Sequence, residues 1–527
     1  MRNQLKIVYS ALTIVAMLGL TSTVHGVPAF ARQTGLDCNS CHHQAGWPIL
    51  NAFGQAFKAG GYTQASEDNL MGDGEALSIP KTLNAAVIFK VRQHFIGTTS
   101  TGKVTENTTA VSVTNPGTTL DHTGTTLTQT NETDMPDEWA IWLGGRGGKH
   151  VGFAAEVGRS GPEAIGVLGF KVPITFDVGP VKLGAVPYWT DAQGPGWGFE
   201  NLSTGSVGNI KMFEGGAAQS ARMYLDDAGI TGMDGKASGL GFYVWHPMGY
   251  VYYSAFANEG SNNGAVNGAF AHNIRVAVTP SFAGIDLALG WQFMTGSWGA
   301  NSDQVPAGAA GDLAPNVTFP GATITGNAIA YRSMVNYMGF DLQVNGTFGI
   351  PVMLVGTFGM ADNTKLVDNS ANFGANGSNK IIGVTAQDGY KAIAWSALVD
   401  ATVIEDLLNV GVGIRGASFT KYMVDPTDAK KVVVATYTDS AGVVKKYGNL
   451  TDNQLIAELK FNIARNLRLS TTGYFSLNKV DVADSKGDIT PTVFGSIGGP
   501  VTAANADTDP HGASQENKLT VMLMGAF

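Results

Sequence analysis

The residues best suited to do chemistry lie near the N-terminus, in Cys38-Asn39-Ser40-Cys41-His42. Two thiols three positions apart can add to the two vinyl groups of one porphyrin, and the adjoining imidazole then reaches the iron. The sequence holds 2 cysteines in 527 residues, so no other thiol competes for a partner. A thioredoxin-type redox pair would need a βαβ pattern around it, and none is visible. A zinc site would need two further ligands nearby, where only His43 is on offer. The spacing therefore predicts one covalent haem c, tethered by Cys38 and Cys41 with His42 as the proximal ligand and redox-active residue.

Residues 1–26 read as a secretory signal. Arg2 and Lys6 form a basic start, residues 7–20 are mostly apolar, and Val24 and Gly26 are small residues at a cleavage site. The apolar run is short for a retained anchor, and no later segment reaches the ~18 consecutive apolar residues of a spanning helix. Haem c attachment after export needs reduced thiols, which points to a bacterial periplasm. The net charge of -9 disfavours nucleic acid and suits cationic partners.

The elements that must hold the motif come in two textures. After it, Leu50, Phe53 and Phe57 follow at helical spacing, with Pro48 suited to the first turn and Gly60-Gly61 to the end. One such helix cannot bury enough apolar area to fold unaided. From about Lys81 the period becomes two. Ala85, Val87, Phe89, Val91 and Phe95 share one parity, while Lys90, Arg92 and His94 take the other. The pattern repeats in Trp139, Ile141 and Leu143, in Val151, Phe153 and Val157 against His150 and Glu156, and in Leu459 and Phe461 against Glu458 and Lys460. Short links at 147–148, 176–180, 246–248 and 465–466 alternate with long Thr-, Asn- and Gly-rich stretches near 98–133, 297–324, 361–388, 419–452 and 479–515.

Short turns on one side, long loops on the other and a final strand ending at Phe527 predict an all-β fold. It is a transmembrane antiparallel β-barrel of about 16 strands (16–18 candidates), embedded in outer-membrane lipid. A lumen that wide is not filled by wall side chains. The expected organisation is a signal over 1–26, a monohaem segment over 27–78 plugging the lumen, and a barrel over 79–527.

Pro28-Ala29-Phe30-Ala31-Arg32-Gln33-Thr34-Gly35, the haem motif, and Pro48-x-Leu50-x-x-Phe53-Gly54-x-x-Phe57-Lys58-x-x-Gly61-Tyr62 together resemble the fused cytochrome–porins of the bacterial outer membrane. That family is regarded as the Fe(II) oxidases of iron-oxidising bacteria. The close match covers residues 28–62, and the rest agrees only in architecture. The resemblance implies a monohaem plug, uptake of electrons from extracellular Fe(II), and delivery to a periplasmic carrier such as a c-type cytochrome or a copper protein.

For the sixth iron ligand the candidates are Met71, in a Gly-rich turn, and His94, on the inward parity of the first strand; an open site is the third option. Arg32, Lys90 and Arg92 are candidates to pair with haem propionates. Asp507, Asp509 and His511 form a possible iron site at the outer rim. Two other functions stay open at this point, a solute porin with a haem-bearing plug and a haem peroxidase.

Overall fold

The computed structural model describes residues 29–43, 49–66, 70–71, 78–81, 84–105, 121–160, 165–190, 194–199, 212–213, 219–227, 237–257, 270–298, 318–319, 322–323, 333–362, 389–425, 428–434, 436–438, 444–446, 450–464, 466–477 and 516–526. The signal segment, Phe527 and the Asp507–Asp509–His511 cluster lie outside the described residues.

Three short helices precede the wall: α1 (Ala29–Thr34), α2 (Cys38–Cys41) and α3 (Ala52–Ala59). The wall is a closed antiparallel barrel of sixteen strands. They are β1 (Ala85–Thr105), β2 (Asp121–Arg146), β3 (Gly152–Ser160), β4 (Gly166–Lys171 and Ile174–Val178), β5 (Val181–Thr190), β6 (Ala237–His246), β7 (Gly249–Ala257) and β8 (Ala271–Val278 and Ser281–Phe282). The others are β9 (Ile285–Trp298), β10 (Ser333–Thr347), β11 (Pro351–Asp362), β12 (Gly389–Ile404), β13 (Leu408–Asp425), β14 (Leu450–Ala464), β15 (Leu467–Ser476) and β16 (Glu516–Ala526). β16 closes the ring by pairing with β1, from Glu516 opposite Thr98 to Ala526 opposite Ile88. β4 is interrupted beside Pro173 and β8 at Pro280, where proline has no N–H to give the ladder.

The two faces divide as the period-two pattern predicts. Val87, Phe95, Val244, Val412 and Leu459 stand exposed on the outside, a surface that only lipid can cover favourably. Arg92, His94, Glu156, Glu458 and Lys460 are buried on the inside. Phe176, Phe282 and Phe348 project at the short-turn end, in the manner of an interfacial aromatic belt.

Several boundaries differ from the sequence expectation. The stretch 98–133 is largely ladder: β1 and β2 run 21 and 26 residues, well beyond the ~10 that cross a bilayer, and pair out to Thr105 opposite Asp121. β13 likewise continues past the wall and pairs with Asp428–Val434. The link at 176–180 shrinks to Gly179-Pro180, with Phe176 inside β4. α3 starts at Ala52 under an Asn51 cap whose side chain accepts from Gly54 N, leaving Leu50 in a bridge with His42 outside the helix.

One lumen-filling segment answers to no motif or periodicity in the sequence. Between β5 and β6, a 3-10 turn (Gly194–Trp197) and α4 (Ala221–Asp227) fold into the barrel. On one side Tyr252 Oη donates to Pro195 O (2.8 Å) and Lys171 Nζ to Trp197 O (2.9 Å). On the other, Ala221 N donates to Thr357 Oγ1 (2.9 Å) and Lys460 Nζ to Met212 O (2.8 Å). The insert thus bridges opposite walls. Phe213 is fully buried, with an edge set against Gly411, where a Cβ would stand 2.4 Å from it. Two buried luminal cations meet carboxylates: Arg275 holds Asp341 through two bonds of 2.7 and 2.9 Å, and Lys460 bonds Asp400.

Candidate functional site

The N-terminal segment sits in the short-turn mouth of the barrel, held there by bonds to the ends of several strands. Gln33 is its main anchor. Its Nε2 donates to Tyr62 O (2.6 Å) and Gln64 O (2.7 Å), folding the segment on itself. Its Oε1 accepts from Asn84 Nδ2 (2.7 Å) and Arg146 N (3.0 Å), which ties it to the wall. Arg146 Nη1 donates back to Thr63 O (2.9 Å), and Tyr243 Oη donates to Ala59 O (2.6 Å). Phe30 stacks on Tyr62 at 4.9 Å and meets Phe57 edge-on at 5.3 Å. The fit is close enough to require glycine: a Cβ on Gly152 would stand 1.7 Å from Gly61 O.

Within this frame α2 brings the haem motif to one place. Cys38 and Cys41 are three residues apart on a single helical turn, hence on one face. Asp37 Oδ1 accepts from Ser40 N and Oγ, both at 3.2 Å. Asn51 N donates to Cys41 O (2.9 Å) and Asn51 Nδ2 to Ser40 O (3.0 Å), locking the turn against the start of α3. The contact admits no side chain at Gly54, whose Cβ would stand 2.2 Å from Cys41 O. Cys41 and His42 are both half-buried.

Two thiols and an imidazole are the donor set that haem c takes, and the surroundings suit a large apolar plate. Leu36 and Phe53, flanking the motif in the chain and on α3, are each 38% exposed. Both are therefore positioned to give a bound porphyrin apolar contact. Ile49, by contrast, is buried in a cluster with Met212 and Phe213 of the insert and with Leu398, Ile456 and Tyr474 of the wall. The mouth segment therefore rests on the insert.

The other predicted residues are dispersed. Arg32 Nη1 donates to Ala85 O, so the guanidinium helps dock α1 on β1 at the rim, beside the motif's segment. Lys90 and Arg92 lie five and seven residues up β1 from Ala85, about 17 and 23 Å at ~3.3 Å per residue, in register with Glu138 and Asp134. His94 is farther still, and both its ring nitrogens are engaged: Nδ1 with Thr520 Oγ1 (2.8 Å) and Nε2 with Asp134 Oδ2 (3.0 Å). The structure thus places His94 in the β16–β1–β2 seam, nine residues up β1 from Ala85, and does not bring it beside the motif. Met71 pairs with Ile79 in a two-residue ladder and is half exposed.

His43 points away from the motif, toward β9, with Nε2 3.9 Å from Asp286 Oδ2. Burial holds its imidazole below the ordinary value, against the pull of the Asp286 carboxylate. Gln33 lies in the matched run 28–35, but nothing in that run marks its amide as the anchor, and Asn84 and Arg146 belong to no motif.

No protein-family model matches the chain, and no curated protein does. Among solved structures it is similar to outer-membrane OmpT of Vibrio cholerae, at 8% identity over 87% of this chain and 100% of that one, with a TM-score of 0.38. The anion-selective porin from Comamonas acidovorans gives 10% identity over 85% and 99%, TM-score 0.39. Salmonella typhi OmpF, in complex with daunomycin, gives 8% over 87% and 100%, TM-score 0.38. The assignment to the outer-membrane type of barrel rests on this chain's own strand topology, its apolar outer face and its alternation of short turns with long loops.

Proposed function

We propose that the chain is a c-type cytochrome–porin of the bacterial outer membrane, an oxidoreductase that takes single electrons from extracellular Fe(II) and passes them to a periplasmic carrier. The observation that carries the reading is the Cys38–Cys41–His42 donor set, displayed on a segment seated in the short-turn mouth of a closed barrel. In outer-membrane barrels that mouth faces the periplasm. When bound, haem c supplies a one-electron couple there. Cys38 and Cys41 would hold it through thioethers and His42 through the iron. Leu36 and Phe53 would lend it apolar cover, and Arg32 stands at the same rim. Met71 and His94 are the protein candidates for the sixth ligand.

The electron balance is simple. Each Fe(II) gives up one electron and leaves as Fe(III), and one oxidised carrier, a c-type cytochrome or copper protein, is reduced. No nucleophile or general base is needed. The insert favours this reading over a solute porin, because a lumen bridged between opposite walls and seated upon by a second segment is a poor path for solutes.

Fe(II) added to intact cells tests the reading: the reduced haem band should appear without permeabilisation. Reduction seen only after permeabilisation contradicts electron entry from outside. Planar-bilayer conductance separates the solute-porin alternative, which requires open-channel currents of ordinary porin size.

A further inference from the structure

A cleft between α3 and the rim of β6 to β10 holds donor atoms that no other role absorbs. Asp286 and Asn345 are direct cross-strand partners on β9 and β10, and both line the cleft with Gln343. Asn345 and Gln343 are 5% and 1% exposed, and among the described residues no hydrogen-bond donor meets their side-chain oxygens Oδ1 and Oε1. His43 Nε2, also buried and without a hydrogen-bond partner among the described residues, stands 3.9 Å from Asp286 Oδ2. Ser281 Oγ donates to the other carboxylate oxygen (2.6 Å), which turns Oδ2 toward the imidazole.

Buried acceptors without donors are costly, and one such atom is ordinarily matched by a proton donor or a cation. No described side chain lining the cleft is cationic. The 3.9 Å separation is too long for a hydrogen bond. It falls inside the span of two atoms that share one ion, since ligands about 2.1 Å from a metal stand roughly 3 to 4.2 Å apart as the angle opens. We infer that His43 Nε2, Asp286 Oδ2 and Asn345 Oδ1 form a binding site for one first-row divalent cation at the seam between the mouth segment and the wall. A nitrogen ligand with a carboxylate and an amide oxygen selects the Mn(II), Fe(II) or Zn(II) class over Ca(II) or Mg(II). The ion would satisfy Asn345 and clip the segment to β9 and β10, opposite the Gln33 anchor at β1 and β2. The inference stands whether or not α2 carries a porphyrin.

Mn(II) added to the full-length protein in detergent, with ascorbate present so that any haem iron is silent at the Mn(II) resonance, tests it. The expected result is one Mn(II) bound per chain, displaced by Zn(II), with nitrogen modulation in the electron spin echo. Asp286→Asn should weaken binding by more than the roughly tenfold that loss of a supporting contact costs, and His43→Gln should remove the nitrogen modulation. Binding at unchanged affinity in both variants, or none below millimolar Mn(II), overturns the site. Should His43→Gln fail to assemble, Asp286→Asn and Asn345→Leu decide by affinity alone.

Discussion

Two segments fill this barrel, and they do so by different means. The mouth segment is fastened mainly by side-chain amides and guanidinium groups reaching backbone atoms, and it leaves Leu36 and Phe53 bare around the Cys38–Cys41 turn. The insert between β5 and β6 is fastened to both walls, and its Phe213 and Leu225 are wholly buried. One is built to present something, the other to take up space. A segment carrying a prosthetic group must leave apolar surface uncovered by its own chain, whereas a filler maximises burial at once.

That contrast can be broken by substitution. The largest stability effect is expected from Phe213→Ala. It empties a fully enclosed site against Gly411 and should cost about 3–5 kcal/mol, read as a fall in the urea midpoint of the whole barrel. Gln33→Ala should cost about 2–3 kcal/mol, because it strands the Asn84 amide and the Arg146 N–H. The loss should be local: residues 29–66 become protease-sensitive while the wall's midpoint holds. Loss of wall stability equal to that of Phe213→Ala would erase the distinction between docked and built-in segments. Tyr243→Phe removes one bond to Ala59 O and should cost about 1 kcal/mol, visible as faster amide exchange at the end of α3.

Legibility in the sequence follows the same divide. Where lipid meets one face and the lumen the other, alternation is forced, so its parity alone assigns Arg92 inward and Phe95 outward. Beyond the bilayer both faces meet water, the alternation fades, and the outer ladders of β1 and β2 have the composition of loops. The Cys38–Cys41–His42 set is legible because covalent chemistry fixes residue type and spacing. Gln33 sits in the matched run, yet its anchoring role is not legible, because three of its four partners are backbone atoms that any sequence provides. Nor is the insert, whose Gly194-Pro195-Gly196-Trp197 run marks only a departure from strand. His94 shows the limit of parity: it faces inward as expected, yet the seam of β16, β1 and β2 uses both of its nitrogens.

The most direct test is to ask whether haem stays with the polypeptide after denaturation. Full-length protein produced with a haem c maturation system and run on a denaturing gel should carry peroxidase-active haem stain at its own band, and replacing both Cys38 and Cys41 by alanine should remove both thioethers and that stain. A colourless native band, or staining that survives replacement of both cysteines, would contradict the account.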